Sequence, residues 1–145
     1  MKKVIVTVIA GLCLSHIGGY AQSSALEEVF DVYAKYEEGF SYVYMGKGYS
    51  EIKISSEVSK EFNSIKFVKI LTAPSNAKKE IIENFVGVMR ATLEGEEFEL
   101  IFKMAVSKDN TEIYLKRTGK KNLEKVIIIN KGKEVSVTWI YGEEK

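Results

Sequence analysis

Apolar residues recur at helical spacing in two long segments of the chain. The first segment predicts a helix over about 25–37, and the serine and glutamate within 24–27 fit a capping box at its start. The second segment predicts a helix over 76–93, with an apolar stripe of about five turns and a charged outer face. A short helix over 55–62 is predicted between them.

The remaining apolar residues favour β-strands, most of them at a period of two. The segments 40–45 and 65–72 each predict one strand, and the second is apolar on both faces, which is typical of the interior of a sheet. Four further strands joined by short turns predict an antiparallel meander. The apolar parts of these four strands lie around 98–104, 113–115, 126–129 and 135–141.

These elements predict an α+β fold with two layers and a largely antiparallel sheet. The four-strand C-terminal meander has one apolar face, which requires a cover, and the helix over 76–93 is the natural cover. The helix and strand nearer the N-terminus complete the fold. We expect residues 22–145 to form one domain, because this length is sufficient for a packed core.

The first 21 residues have the features of a signal peptide. A basic start is followed by an uncharged apolar run over 4–17, which is shorter than the roughly 20 residues of a membrane-spanning helix. Small residues three and one before a cut, Gly19 and Ala21, predict cleavage after Ala21. Gln22 would then be the first residue of the mature chain, in which no transmembrane segment is predicted.

Cys13 leaves open an alternative in which a lipid anchors the chain. A lipoprotein is cut directly before a cysteine, and the peptidase requires a small residue upstream, whereas Leu12 precedes Cys13. We therefore expect an exported chain in the periplasm or at the cell surface, with a lipid on Cys13 as the less favoured alternative.

Removal of the leader changes the chemistry that is available. The whole chain has 21 basic residues, 20 acidic residues, one cysteine and one histidine. Cys13, His16 and two lysines leave with the leader, so the mature chain has neither thiol nor imidazole and a net charge near −1. Cysteine nucleophiles and histidine triads are thereby excluded, and we expect no metal, no cofactor and no nucleic acid as a partner.

Paired carboxylates leave one enzymatic alternative, a hydrolase acting on envelope glycans. Adjacent glutamates occur at 27–28, 37–38, 96–97 and 143–144. Neighbours diverge by about 100° on a helix and face opposite sides on a strand, so none of these is a ready-made acid/base pair. We therefore predict no catalytic residue. A small-molecule carrier, with a cavity between the helix over 76–93 and the sheet, is a further alternative.

Aromatic residues are concentrated early in the mature chain. Tyr42 and Tyr44 share one face of a predicted strand, and Tyr36 lies on the preceding helix. A ring that carries a hydroxyl suits a sugar- or peptide-binding surface, so these three are the candidate ligand-binding residues. The alternative is that the helix over 25–37 simply packs its rings on the sheet.

Two further features concern possible partners. Basic residues cluster around one predicted turn, where they would favour solubility or bind an anionic glycan or lipid headgroup; they are Lys116, Arg117, Lys120, Lys121 and Lys125. The strand over 135–141 is the candidate edge of the sheet, and an edge can accept a strand from a partner.

Four segments resemble a known family of small exported bacterial proteins, the domain of unknown function family numbered 4252. They read GFSYVYMGKG, SIKFVKILTAPS, FELIFKMAVSKDNTEIYLK and KVIIINKGKEVSVTWIYG, and the resemblance covers nearly all of 26–142. The resemblance depends on strand patterns. The family has the pattern Y-E-x-L-M at the position of residues 97–100 and Met104, and its closing glycine is matched by Tyr141-Gly142. The resemblance implies an exported α+β domain of a Gram-negative envelope, with many lipoprotein relatives and no catalytic residue to transfer.

Taken together, these features predict a non-enzymatic exported domain. It would act by recognising a protein or a glycan of the cell envelope.

Overall fold

The computed structural model describes residues 23–48, 56–132 and 134–145. The predicted leader, the cleavage site at Ala21 and Gln22, and Cys13 lie outside these residues. The described helices are Ser24–Tyr36 (α1), Ser56–Ser59 (α2) and Lys79–Gly95 (α3). The described strands are Ser41–Gly46 (β1), Phe62–Thr72 (β2), Glu99–Val106 (β3), Asp109–Thr118 (β4), Asn122–Lys131 (β5) and Glu134–Glu144 (β6).

All six strands belong to one antiparallel sheet in the order β1-β2-β6-β5-β4-β3. The predicted α+β class and the C-terminal meander are confirmed, but the sheet has six strands rather than the four of the meander. The physical reason lies in β2, which buries Phe67 on one face and Val68 on the other, a pattern typical of an interior strand, so the sheet continues beyond β6. β2 pairs with β6 on one side and with β1 on the other.

One face of the sheet is packed against α1 and α3. Trp139 of β6 is the largest side chain without solvent exposure, and the centre of its ring system lies 5.5 Å from that of Phe30 on α1. The two helices meet through Tyr33 and Phe85, whose ring centroids are 4.8 Å apart. The predicted cover by the long helix is therefore present, with α1 beside it over β2 and β6.

The opposite face of the sheet carries a second and smaller apolar cluster beside α2. Its buried members are Met45, Phe62, Ile65, Val68, Leu123 and Ile140. Because α2 has only four residues, this cover reaches a small part of the face.

The start of α1 differs from the prediction. The capping box at 24–27 is wrong, because Ser23 is the N-cap and makes no side-chain capping bond. Two carboxylates distant in sequence take that role instead. Glu124 accepts from the backbone N–H of Ser23 at 3.2 Å, and Glu96 accepts from that of Ala25 at 3.0 Å. Free N–H groups at a helix start need such acceptors, and negative charge is favourable there.

We expect substitution by alanine to have opposite effects on the free energy of unfolding at two glycines, Gly142 and Gly87. In Gly142→Ala the new methyl group would collide with the carbonyl oxygen of Ser64, so we expect the free energy of unfolding to fall by about 1–3 kcal/mol. In the control Gly87→Ala, on the exposed side of α3, no atom is near the new methyl group. We expect that variant to be more stable by about 0.5–1 kcal/mol, because alanine favours a helix.

Urea unfolding of both variants and the natural chain tests this prediction. A Gly142→Ala variant as stable as the natural chain would contradict the described fit between β2 and β6.

Candidate functional site

The strand β3 is exposed along its whole length. All eight of its residues are exposed, and among the described residues it pairs with β4 alone, so it forms one edge of the sheet. Five of its side chains are large, apolar and between 45% and 61% exposed: Leu100, Ile101, Phe102, Met104 and Val106. An exposed apolar edge is a template for pairing with another chain, which makes β3 the leading candidate site.

An ion pair joins α3 to β4, the strand beside this edge. The guanidinium of Arg90 on α3 donates two hydrogen bonds, of 3.1 Å and 2.6 Å, to the carboxylate of Glu112 on β4. The hydroxyl of Tyr114 donates to the same carboxylate at 2.8 Å. The helix is therefore held above β4, and β3 lies beyond it.

The cluster of Arg90, Glu112 and Tyr114 is electrostatically favourable although the carboxylate of Glu112 is buried. Burial alone would raise the pKa of Glu112, but the hydrogen bonds from Arg90 and Tyr114 outweigh it and hold that pKa below its ordinary value. Burial, and then the bond to Glu112, raises the pKa of Tyr114 to about 12. The carboxylate is thus ionised and the phenol neutral under ordinary conditions.

A β-bulge directs two neighbouring side chains of β3 to the same side. Leu100 pairs with Tyr114 and Phe102 pairs with Ile113, so Ile101 is an extra residue between the two pairs. Ile101 and Phe102 consequently both line a recess of about 390 Å³ on the face opposite α1 and α3. The rest of its lining is Glu57, Lys60, Glu61, Ile113 and Lys125.

The recess has an apolar floor and a charged rim. Lys125 is buried, and its ammonium group donates to the carbonyl of Val58 at 3.0 Å and to Glu61 at 2.9 Å. Its charge is therefore neutralised by the segment around α2. The exposed parts of Glu57 and Lys60 remain at the rim, an arrangement that suits an apolar side chain flanked by polar backbone.

The same face stays open beyond the recess. Ile127, Ile129 and Thr138 are only half-buried there, and Val43 on β1 is exposed. A second recess of about 710 Å³ continues across β2, β6 and β5. The uncovered face therefore extends from β3 towards β1.

The tyrosines predicted as ligand-binding residues lie at the other edge. Tyr42 and Tyr44 are neighbours on β1, and they are 38% and 56% exposed. Their rings touch the core through Phe30 at 6.5 Å and Phe67 at 6.2 Å between centroids. Tyr36 is 70% exposed at the end of α1, and within the described residues no ring contact links it to the other two.

The strand predicted as the edge is an interior strand. The segment 135–141 belongs to β6, which pairs with both β2 and β5, so this prediction is wrong. The edge position of β3 was missed. A signal for it was available in the sequence. A strand that is buried on one face alternates apolar and polar residues, whereas residues 100–102 are three consecutive apolar residues.

The predicted basic patch is largely neutralised by ion pairs. Lys116 lies 3.4 Å from Glu96, and Arg117 lies 2.9 Å from Glu144. Lys125 is paired as described above. Lys120 and Lys121 remain at the turn between β4 and β5, where they line a third recess together with Glu143 and Glu144. The five residues therefore do not form one continuous anion-binding surface.

Glu124 is the most deeply buried carboxylate of the described residues, and its hydrogen bonding argues for a structural role. Its two oxygens accept from the N–H and hydroxyl of Ser23, both at 3.2 Å, from Thr118 at 2.8 Å and from the indole of Trp139 at 3.1 Å. Burial nevertheless raises its pKa. With four donors and no solvent exposure, this carboxylate anchors α1 and offers no position for a substrate.

Comparison with models of protein families, with curated proteins and with solved structures finds no match for this chain. Within the described residues, no group of three or more potential ligands could hold a metal ion. No helix in that part of the chain is long and apolar enough to cross a membrane. The exposed sheet edge and the face beside it are therefore the features of the described residues from which a function can be inferred.

The pair between Arg90 and Glu112 can be tested by substitution. In Arg90→Leu the buried carboxylate loses its cation, so we expect the free energy of unfolding at pH 7 to fall by about 3 kcal/mol. The double variant Arg90→Leu, Glu112→Leu should recover part of this loss, because it buries no unpaired charge, although the hydroxyl of Tyr114 loses its acceptor.

The pH dependence of the pair has a defined sign. Because the pKa of Glu112 is lowered in the folded chain, its stabilisation is complete above the pKa of an unfolded glutamate, about 4.3, and is lost as the pH falls through the folded value. The difference between the natural chain and Arg90→Leu should therefore shrink progressively as the pH falls from 7 to 3 in urea titrations, because burial favours protonation of Glu112 once its cation is removed. A difference that stays constant from pH 7 to pH 3 would exclude this role.

Proposed function

We propose that the mature chain is an exported, non-enzymatic recognition module that binds an extended segment of an envelope protein as an added strand beside β3. The exposure of β3 along its whole length, with five large apolar side chains, is the observation that carries the proposal. In strand addition the backbone hydrogen bonds give affinity and the alternate side chains give specificity.

The residues after the bulge indicate what the bound segment would contain. Phe102, Met104 and Val106 lie on the open face, since they pair with β4 residues of that face. Lys103 lies on the other face, opposite Glu112. A strand beside β3 would therefore place apolar residues near Phe102 and Met104, and an acidic residue opposite Lys103 would be favoured.

The edge also has features that limit pairing with itself. A bulge and a central lysine are two devices by which natural sheets discourage edge-to-edge aggregation. Both occur in β3, at Ile101 and Lys103. Such an edge favours a segment whose register fits the bulge. This preference supports selective recognition of one kind of segment rather than non-specific association.

The leader over 1–21 supports the location of the proposed binding. A chain that passes through the export pathway meets envelope proteins and glycans, and the resemblance to the exported proteins of the family numbered 4252 agrees with this location. Glycan binding at Tyr42 and Tyr44 is the second kind of recognition, because their half-exposed rings suit stacking on sugars.

Binding of a synthetic peptide array tests the proposal. The array carries ten-residue peptides in which Val, Ile or Leu alternates with Ser, Thr or Glu. We expect binders whose affinity falls at least tenfold in the double variant Phe102→Lys, Met104→Lys, because a charge on this face opposes the apolar contact. Bound peptide should also slow amide hydrogen exchange along β3.

Two controls separate the alternatives. Tyr36→Lys adds a charge at an exposed aromatic position far from β3 and should leave peptide affinity unchanged. A double variant Tyr42→Ala, Tyr44→Ala, tested against the same peptides and a glycan panel, probes the other edge. Peptide binding that survives the β3 changes, or that is lost only in the tyrosine variant, would refute the assignment to β3.

The mature N-terminus provides a separate prediction about export. Intact-mass analysis of protein purified from the envelope should give a chain that begins at Gln22, with no lipid attached, because the small residues at positions 19 and 21 favour that cut. A mass that corresponds to a lipidated chain beginning at Cys13, or to one still carrying Met1, would overturn this part of the proposal.

A further inference from the structure

Two rows of uncharged side chains cross the open face of the sheet, which is the face opposite α1 and α3. The strand pairing aligns one residue of each strand in the first row, and the members are Val43, Ile70, Thr138, Ile127, Ile113 and Phe102. The second row lies two residues further along the strands. Its members are Ser41, Thr72, Ser136, Ile129, Thr111 and Met104.

Every side chain in these two rows is half-buried or exposed among the described residues. The side chains that alternate with them along β5 and β6 point to α1 and α3 and are buried: Val126, Ile128, Val137 and Trp139. Most members of the rows are β-branched, and such residues are typical of sheets that pack face to face. The open face therefore has the residues of a covered sheet face, while the described part of the chain covers it only at the end beside α2.

Charged residues border the rows at the end of the face beside α2. Lys125 precedes Ile127 by two residues on β5, and its ammonium group donates to the carbonyl of Val58 at 3.0 Å. This contact places α2 next to the first row. Glu57 and Lys60 belong to this border, and both are exposed.

The opposite border carries charges that complement those beside α2. Lys131 follows Ile129 by two residues on β5 and is paired with Asp109 of β4, and both charged residues are exposed. A two-fold axis parallel to the rows would reverse the strand direction of a second copy and keep each strand at its position along the row. The border with Lys131 in one copy would then face Glu57 of the other, and Asp109 would face Lys60.

The size of this face is close to what a stable dimer needs. Six strands about 4.8 Å apart span about 29 Å, and the rows with their borders cover about six residues of about 3.3 Å along each strand. The plan area is therefore about 600 Å², and the accessible surface is larger because side chains project from the sheet. An interface of standard size buries about 800 Å² of accessible surface on each partner.

We propose that the open face binds a second copy of this chain, with the two sheets packed face to face about a two-fold axis parallel to the rows. An axis parallel to the strands would instead bring the two α2 helices together and hold the rows apart. In the proposed arrangement the backbone edge of β3 stays free. The inference therefore goes beyond the addition of a strand to β3 and does not depend on it.

Thr138→Lys tests the interface, because Thr138 lies within the first row and is only half-buried, so a single copy tolerates the lysine whereas a packed pair does not. Sedimentation equilibrium of the natural protein at about 100 μM should give twice the mass of one chain, since interfaces of standard size bind at micromolar concentrations or more tightly. We expect Thr138→Lys to raise the dissociation constant at least about tenfold. Tyr36→Lys is the matched control, because it adds the same charge at the exposed end of α1 and should leave the dissociation constant unchanged.

An exchange of charges tests the orientation and does not depend on the stability of Thr138→Lys. Glu57→Lys and Lys131→Glu each bring like charges together twice in the pair, so each should raise the dissociation constant about three- to tenfold. The double variant Glu57→Lys, Lys131→Glu should return it towards the natural value, because opposite charges face each other again. A natural protein that is monomeric at about 100 μM, a dimer unchanged by Thr138→Lys, or a double variant that binds no more tightly than the single ones would overturn the inference.

Discussion

The width that two helices can cover is the constraint on which the rest of the structure depends. A helix with its side chains is about 10–12 Å across, and neighbouring strands lie about 4.8 Å apart, so two helices cover roughly four strands. The sheet has six. Among the described residues, α1 lies above β2 and β6 and α3 lies above β4, so the strands at both edges lie outside the cover of these two helices. On the opposite face the only described helix is the four-residue α2.

The two uncovered edges differ in chemistry, and this difference favours β3 as the binding edge. On β1 the exposed side chains include Tyr42 and Tyr44, whose hydroxyls are compatible with water. On β3 they are aliphatic, aromatic or thioether groups without polar atoms that water could satisfy, apart from Lys103 and Glu99. Exposure of such a strand to water is unfavourable unless a partner covers it. An added strand therefore accounts for the apolar side chains of β3 better than permanent exposure to water does.

Local patterns in the sequence predict the elements of this fold, whereas contacts between distant segments decide how they are arranged. The stripe over 76–93 and the alternation over 135–141 depend on near neighbours, and both elements are present as a helix and a strand. The pairing of β2 with β6 is nonlocal, so the sequence could not show that β6 is interior. The caps of α1 are equally distant, since Ser23 and Glu124 are 101 residues apart.

In the candidate site, too, some features follow from local sequence patterns and others from contacts between distant segments. Tyr42 and Tyr44 lie side by side because residues two apart on a strand share a face, and Tyr36 does not join them because the turn after α1 is not specified by that period. The bulge at Ile101 places Ile101 and Phe102 on the same face of the strand. A bulge depends on the partner strand as much as on its own residues, so a single strand pattern does not reveal it.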